Sequence, residues 1–470
     1  MHRFFLSLWK LLFGGGGISL RSGKYFAESM LVGVFTGFTV VGFRYMMRLG
    51  KWLLIDGIGH HRTLSRLTDG AAIGRMYSKE ALLDPHRIAL IFLPAAGALL
   101  GWLLIRRFTS VRNARGTGSA IHAYHNEGGY VPASVIPVKS TASVLTVASG
   151  GSGGYEGPVT LIGAACGSTI ATWLKLDTRA RRILMAAGLA AGIAALFQAP
   201  LAGAIFGFEI FYSSSDIEYE TVLPSFIASA ISYTIYASFF GWHTLFAMPP
   251  CTCQSGVRLM PYFALALAVT LGVRAYITLF RVVERRFETS RRPGWQCVII
   301  GGLVTGVIGY FFPDVLGTSY RIILASFTAG ASELFEDSGP LTIAGFVCFF
   351  FMKAIATAFT VGSGGSAGVF APAIVCGGTL GAAVGLFLAS ILPPSFGIEP
   401  AAFALVGMAA FLASAIRIPI TAIIMVAEIS GNHSLLMPAM WVCGISFWMN
   451  NNWSLYRTQV PSRSSSPVHR

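Results

Sequence analysis

Residues 139–158 read KSTASVLTVASGGSGGYEGP, and residues 353–372 read KAIATAFTVGSGGSAGVFAP. The two stretches align without a gap, and 10 of their 20 positions are identical. Each contains the tetrapeptide SGGS and ends on a proline. Such a match within one chain indicates that one half of the sequence repeats the other.

A second pair of matching stretches follows in the same order. Residues 188–210 agree with residues 407–429 at 8 of 23 positions. The shared positions include two prolines and two glutamates, namely Pro200 with Pro419 and Glu209 with Glu428. Chance similarity between helices rich in glycine and alanine does not easily produce both pairs, so we predict an internal duplication.

The composition predicts a membrane protein. Of 470 residues, 54% are hydrophobic and only 11% are charged, against about 25% charged residues in an ordinary soluble domain. So few charges exclude a soluble enzyme, a disordered protein and a nucleic-acid-binding domain. The formal net charge of +14 is therefore attributed to cytosolic loops rather than to a nucleic-acid partner.

Apolar runs recur along the whole chain and predict its fold class. Single membrane spans are expected at residues 30–49, 88–105, 222–246, 260–280, 297–312, 341–359 and 435–449. Four longer apolar stretches are expected to be pairs of short or broken helices, at residues 142–173, 183–211, 369–392 and 401–429. The predicted fold is an all-α polytopic membrane protein with two repeats of broken, tilted helices. The repeats have inverted topology if each holds an odd number of spans.

The predicted organisation has four parts. Residues 1–27 form a cytosolic or interfacial segment, with an amphipathic helix at residues 4–13 or a frayed tail, and residues 457–470 form a short cytosolic tail. The first membrane repeat covers residues 28–250 and the second covers residues 251–456. Basic clusters near the span ends place both termini in the cytosol. These clusters are Arg106, Arg107, Arg112 and Arg115; Lys175, Arg179, Arg181 and Arg182; Arg281, Arg285, Arg286, Arg291 and Arg292; and Arg457, Arg463 and Arg470.

The two SGGS loops predict an anion site. Each loop offers unhindered N–H groups and leads into an apolar helix, whose N-terminus carries about half a positive charge. Two such ends directed at one point bind an anion weakly enough to release it. No metal or cofactor is expected, because the one close cysteine pair, Cys251 with Cys253, lacks further ligands.

Glu156 follows the first of these loops, and an acid within a membrane is a functional candidate. One interpretation makes it a tethered competitor that fills the anion site when ionised and leaves when protonated. The other makes it a carboxylate that caps the start of a helix. The residues alone leave both open.

At these positions the sequence resembles the CLC family of chloride channels and chloride/proton exchangers, from about Gly116 to Tyr456. The family motif G-S-G-I-P is degenerate here, as residues 116–120, GTGSA. G-R/K-E-G-P appears as GYEGP at residues 154–158, and G-x-F-x-P is intact as GVFAP at residues 368–372. The resemblance implies the CLC fold and chloride transport. It also implies a homodimer with one pore per subunit.

The resemblance also implies roles for individual residues. Glu156 would be the gate, within a loop that includes Gly154, Tyr155 and Gly157. The central anion site would be formed by side-chain hydroxyls and backbone N–H groups, from Thr117, Tyr456, Val369 and Phe370. The alternative for Thr117 is a helix-packing contact, and for Tyr456 it is a place in the interfacial aromatic belt.

Three positions depart from the family pattern. Tyr155 replaces a basic residue of the gate loop, and Ser119-Ala120 replaces the usual I-P. In the family that this chain resembles, exchangers carry a second acid directly after the position of Glu209. Here that second position is Ile210. Isoleucine cannot carry a proton, so coupling would need Glu209, another acid or a water wire. A structural role is preferred for Glu209, because its repeat mate Glu428 has no inferred proton role.

The preferred hypothesis is chloride conduction gated by a glutamate, channel-like or weakly coupled to protons. The alternative is a chloride/proton antiporter, and fluoride transport is a further variant. We expect chloride as substrate, with bromide or nitrate tolerated. A distant alternative is an intramembrane hydrolase using Ser152 or Ser366, but His125 and His243 have no motif-level link to either serine.

No phosphate-binding loop is present, so ATP-driven pumping is not expected. The resemblance is to the short form of the family, without CBS domains, in a prokaryotic inner membrane.

Overall fold

The computed structural model describes residues 20–58, 88–109, 116–246, 256–327 and 339–469. Within these ranges the chain forms sixteen α-helices, and the only strand-like features are two isolated β-bridges. Eight of the described helices are long and apolar enough to cross a membrane. The predicted class, an all-α polytopic membrane protein, is confirmed.

The described helices form two successive sets of eight. The first set consists of α1 (Leu20–Lys51), α2 (Ala89–Phe108), α3 (Thr117–Asn126), α4 (Val135–Ala148), α5 (Glu156–Trp173), α6 (Thr178–Phe197), α7 (Pro200–Glu209) and α8 (Val222–Phe240). The second consists of α9 (Gly256–Glu288), α10 (Gly294–Phe311), α11 (Tyr320–Phe327), α12 (Gly339–Gly362), α13 (Phe370–Ile391), α14 (Pro400–Ala415), α15 (Pro419–Ser430) and α16 (Leu436–Met449).

The two sets pack in the same pattern. Helix α1 packs on α8 as α9 packs on α16, and α2 packs on α4 as α10 packs on α12. The pairs α5–α6 and α13–α14 are also equivalent. The sequence repeat is therefore a repeat of structure, with helix n of the first set corresponding to helix n + 8.

A reciprocal pair of hydrogen bonds shows that the repeats are inverted. Glu209, at the end of α7, accepts hydrogen bonds of 2.8 Å from the N–H groups of Ile420 and Thr421 at the start of α15. Glu428, near the end of α15, accepts bonds of 2.7 and 3.0 Å from two N–H groups in the first turn of α7. Equivalent helices α7 and α15 are therefore antiparallel, as inverted repeats require.

Glycines allow the closest helix pairs to touch. A Cβ on Gly163 of α5 would lie 2.3 Å from the carbonyl oxygen of Gly188 on α6. In the other repeat, a Cβ on Gly407 of α14 would lie 2.5 Å from the carbonyl oxygen of Gly377 on α13. Only glycine fits at these positions, and close backbone contact of this kind stabilises helix pairs in lipid.

Three of the four long apolar stretches are broken as predicted, and the fourth is not. Proline begins both α7 and α15 at a position that suits a helix start, and a loop separates α4 from α5. The prediction of a break within residues 369–392 is wrong, because α13 is one continuous helix. Its glycines lie against α11 and α14 instead of breaking the helix.

The residues after Tyr456 are folded onto the first repeat. The N–H of Ser213 donates to the carbonyl of Val460 at 2.9 Å, and Ser466 Oγ lies 2.8 Å from His125 Nδ1. The sequence predicted only a short polar tail there. The predicted amphipathic helix at residues 4–13, the pair Cys251 with Cys253, and Arg112, Arg115 and Arg470 lie outside the described residues.

Candidate functional site

The two SGGS loops meet inside the protein. The N–H of Gly154 donates to the carbonyl of Gly368 at 2.8 Å, and the N–H of Gly368 donates back to the carbonyl of Gly154 at 2.7 Å. Two residues after this bridge, Glu156 begins α5 and Phe370 begins α13. The bridge therefore holds the N-termini of α5 and α13 side by side.

A third helix begins at the same point. A Cβ on Gly157 would lie 3.0 Å from the Cα of Gly368 and 3.7 Å from the Thr117 hydroxyl. Gly116, the residue before α3, has φ of +91° and packs against the Gly157 carbonyl. The N-termini of α3, α5 and α13 thus converge, and their unpaired N–H groups make the region favourable for an anion.

Thr117 and Tyr456 bring buried hydroxyls to this convergence. Thr117 is 1% exposed and Tyr456 is 9% exposed, and the Tyr456 hydroxyl faces Thr117. Neither hydroxyl oxygen has a hydrogen-bond partner among the described residues. A buried polar group left unpaired costs about 1–3 kcal/mol, so two of them at one point indicate a binding position.

Val369 and Phe370 supply the start of α13. Val369 is the N-cap and Phe370 the first helical residue, so their N–H groups have no acceptor within the helix. The Phe370 ring packs against Phe197 and Phe206, with centroids 5.4 and 5.8 Å apart. This ring contact fixes the helix start beside Thr117 and Tyr456.

The Glu156 carboxylate lies within the same group of helix ends. The residue is fully buried, and its Oε1 accepts a hydrogen bond of 2.7 Å from the Tyr320 hydroxyl. The carboxylate also faces the N–H of Ala371, in the first turn of α13. It therefore interacts with the helix opposite its own, whereas the N-cap of α5 is Tyr155.

Two cavities approach the site. One of about 110 Å³, which we call the mouth, is lined by Glu156, Tyr155 and Tyr320. The other, of about 660 Å³, which we call the vestibule, is lined by Val369 and Tyr456. Glu156 lines the mouth but not the vestibule, whereas Tyr456 lines the vestibule but not the mouth.

Arg44 supplies a positive charge that the gate-loop motif lacks. Its Nη1 donates to the Tyr155 hydroxyl at 2.8 Å, and its guanidinium lies 5.8 Å from the centre of the Tyr155 ring. Tyr155 replaces the basic residue of the motif, but α1 brings a cation to the same loop. The signal in the sequence was a charged residue inside the apolar run 30–49, which is a functional candidate in a membrane.

The loop serines are occupied by structural contacts. Ser152 Oγ accepts a hydrogen bond of 2.9 Å from Lys353 Nζ and lies 3.2 Å from Thr357 Oγ1. Ser366 Oγ lies 3.0 Å from Ser143 Oγ. Neither serine contacts a histidine of the described residues, so the geometry gives no support to a hydrolase.

The histidines named with that alternative lie elsewhere. His125 contacts Ser466 and the Phe211 carbonyl, and His243 lines the mouth. Among the described residues, no three His, Cys, Asp or Glu side chains are grouped as a metal site would require.

Glu209 and Ile210 lie at the contact between the repeats. Both carboxylate oxygens of Glu209 accept hydrogen bonds from the start of α15, including one of 2.6 Å from the Thr421 hydroxyl. Ile210 is fully buried in the apolar core, and its carbonyl accepts a bond of 2.9 Å from Gln459. The geometry around Glu209 is that of a helix cap.

Known proteins resemble this chain over most of its length. The family model described as "Voltage gated chloride channel" matches residues 96–451. A ClcB-like candidate chloride channel protein of Ralstonia nicotianae is 30% identical over 76% of this chain and 81% of its own length. The H(+)/Cl(-) exchange transporter ClcA of Yersinia pestis is 29% identical over 74% of this chain and 71% of its own length.

The fold has solved counterparts as well. A CLC-type fluoride/proton antiporter superposes with a TM-score of 0.75 at 19% identity, covering 95% of this chain and all of that structure. At this level of identity the similarity concerns the fold alone.

Proposed function

The chain belongs to the voltage-gated chloride channel family, a family of transport proteins rather than enzymes, and we propose that chloride crosses the membrane through the site where α3, α5 and α13 begin. The observation that carries this proposal is the pair of buried, unpartnered hydroxyls of Thr117 and Tyr456 beside the N-terminus of α13. Hydroxyl and N–H donors bind a halide without a full opposing charge, so release stays fast. Bromide and nitrate offer the same chemistry and are expected to be tolerated.

Glu156 is the proposed gate of this path. Its carboxylate lies among the helix N-termini, and the residue lines the mouth. When it is ionised, it occupies an anion-favouring position and repels chloride. When it is protonated, it no longer competes there, and the path opens. Gly154, Tyr155 and Gly157 are proposed to shape this gate loop, with Arg44 supplying the positive charge at its entrance.

The proposed transport is channel-like. An exchanger needs a proton acceptor on the far side of the gate, and Ile210 provides no ionisable group. Glu209 beside it is engaged by three donors from α15, which favours a structural role at the contact between the repeats over a proton relay.

Chloride/proton exchange remains the second candidate because a specific feature favours it. Carboxylates of Glu284 and Glu288 line the vestibule that reaches Tyr456. An acid that takes up protons from the vestibule would supply the proton acceptor that an exchanger needs and that Ile210 cannot provide. The similarity to ClcA, which is named as an exchanger, also supports this candidate.

The charge distribution supports a cytosolic vestibule. Arg457 lines it, and Arg181 lies over the ring of Tyr130, another lining residue. Helix α1 runs from that side towards the mouth, since Phe35 contacts Trp173 at the far end of α5 and Arg44 contacts Tyr155 at its start. By the positive-inside rule, we propose that both termini are cytosolic, in a prokaryotic inner membrane. A homodimer is likewise proposed from family membership.

The proposed function is tested in liposomes that hold the purified protein. An outward chloride gradient is imposed at zero voltage while chloride efflux and external pH are recorded. Wild type should release more chloride at low pH than at high pH, without uphill proton movement. Glu156→Gln, which mimics the protonated acid, should release chloride at one rate across pH 4–8.

Two results would contradict the proposal in distinct ways. Uphill proton movement in fixed ratio to chloride would establish exchange and reject the channel-like mechanism. A Glu156→Gln variant that keeps the wild-type pH dependence would reject Glu156 as the gate.

A further inference from the structure

Tyr320 is not part of the proposed chloride-binding site, yet its side chain contacts the proposed gate. It is the first residue of α11, and its hydroxyl donates to Glu156 Oε1 at 2.7 Å. It also lines the mouth, and the ring of Phe246 meets it edge-on with centroids 5.6 Å apart. We propose that Tyr320 is a latch: its hydroxyl holds Glu156 in the closed position and thereby sets the pH at which the gate opens. This inference rests on the proposed gating by Glu156.

The inverted repeat gives Tyr320 a counterpart. Helix α11 is the equivalent of α3, and each packs on two later helices of its own repeat, α13 and α14 for α11 and α5 and α6 for α3. Both short helices begin after a residue with positive φ, Gly116 at +91° and Ser319 at +63°. Each then begins with a hydroxyl residue, Thr117 or Tyr320. The same local structure thus places the Thr117 hydroxyl at the central site and the Tyr320 hydroxyl at the gate.

The turn that carries Tyr320 is tied to the gate loop. Lys353 Nζ donates to the carbonyl of Gly317 at 2.7 Å and to Ser152 Oγ of the loop at 2.9 Å. The N–H of Gly153 donates to the same Gly317 carbonyl at 3.2 Å. Tyr320 is therefore held at a fixed distance from the start of α5, as a latch requires.

Other charged and titratable groups surround the gate, and the latch acts among them. Helix α1 contributes Arg44 and Arg48, α12 contributes Lys353, and the segment after α8 contributes His243; Tyr155 precedes Glu156. Of the described residues, Tyr320 is the one whose side chain makes a hydrogen bond to the carboxylate. Removing only this hydroxyl therefore changes the gate while the surrounding charges stay.

The test is the pH dependence of chloride efflux from liposomes that hold Tyr320→Phe. A hydrogen bond to a carboxylate favours its ionised form. Without it, the gate should take up its proton more easily, and the pH of half-maximal efflux should rise by about one unit. Efflux at a pH above the wild-type midpoint should rise by up to about tenfold. Tyr236→Phe, which removes a hydroxyl lining the same mouth, should keep the wild-type midpoint.

The outcomes separate the latch from the gate. In a Glu156→Gln background, Tyr320→Phe should have no further effect on the pH profile, because the two act as a unit. If Tyr320→Phe keeps the wild-type midpoint while Glu156→Gln abolishes pH dependence, the gate stands and the latch is wrong. If Glu156→Gln itself stays pH-dependent, both are wrong.

Discussion

At the scale of single residues, the proposed site depends on donors that the protein leaves unused. Thr117 and Tyr456 contribute hydroxyls without protein partners, while Ser152 and Ser366, which look more conspicuous in the sequence, are engaged in structural bonds. The distinction comes from the environment of each hydroxyl and not from its residue type. Unpartnered buried donors are therefore the better guide to the site than serine-rich loops.

Removing both hydroxyls should weaken chloride binding. Hydrogen bonds to a charged group contribute about 1.5–3 kcal/mol each, so Thr117→Ala with Tyr456→Phe should raise the Kd for chloride by at least about tenfold in calorimetry. Ser366→Ala, which alters a loop serine bonded to Ser143, is the control and should bind chloride within about twofold of wild type. An unchanged Kd in the double variant would remove both residues from the site.

The motifs named the candidate residues of the site but not the groups that surround them. Arg44 and Tyr320 come from helices distant in sequence, at separations of 111 and 164 residues from the loop residues they contact. Only the packing of α1 and α11 brings them to the gate. A motif defined by neighbouring residues cannot report such contacts.

At the scale of elements, glycine decides which helices touch. The sequence pattern correctly predicted that the stretches 183–211 and 401–429 are broken. In each, the second helix begins at a proline, Pro200 or Pro419, which lacks a backbone donor and suits a helix start. The pattern wrongly predicted a break within α13, because glycine inside an apolar run has two uses. Where a partner backbone approaches closely, as at Gly377, glycine serves helix contact and the helix continues.

This account predicts a difference between two helix glycines. Gly407→Ala places a Cβ 2.5 Å from the carbonyl oxygen of Gly377 and must separate α13 from α14. A clash in a packed core costs about 1–3 kcal/mol, so the melting temperature in detergent should fall by several degrees. Gly444→Ala on α16, where a Cβ meets no atom within 4 Å, should leave it equal or higher. Equal losses at both positions would contradict this interpretation.

At the scale of the whole molecule, the repeat explains both the fold and the site. Inversion brings the loop of each half to the same point, which the bridge between Gly154 and Gly368 shows directly. It also lets Glu209 and Glu428 cap each other's helices with one pair of equivalent residues. The duplication was visible in the sequence. The sequence alone did not decide whether α7 and α15 are antiparallel, because that depends on whether each half contains an odd number of spans.

The central claim is that a halide lies between the N-termini of α3, α5 and α13 in competition with Glu156. Crystals of Glu156→Gln grown in bromide test it most directly, by anomalous diffraction from the bound ion. The account predicts a bromide peak within hydrogen-bond reach of the Tyr456 hydroxyl and the N–H groups of Val369 and Phe370, with a second peak beside the N–H of Ala371. A transport-active variant with no peak at either position would contradict it.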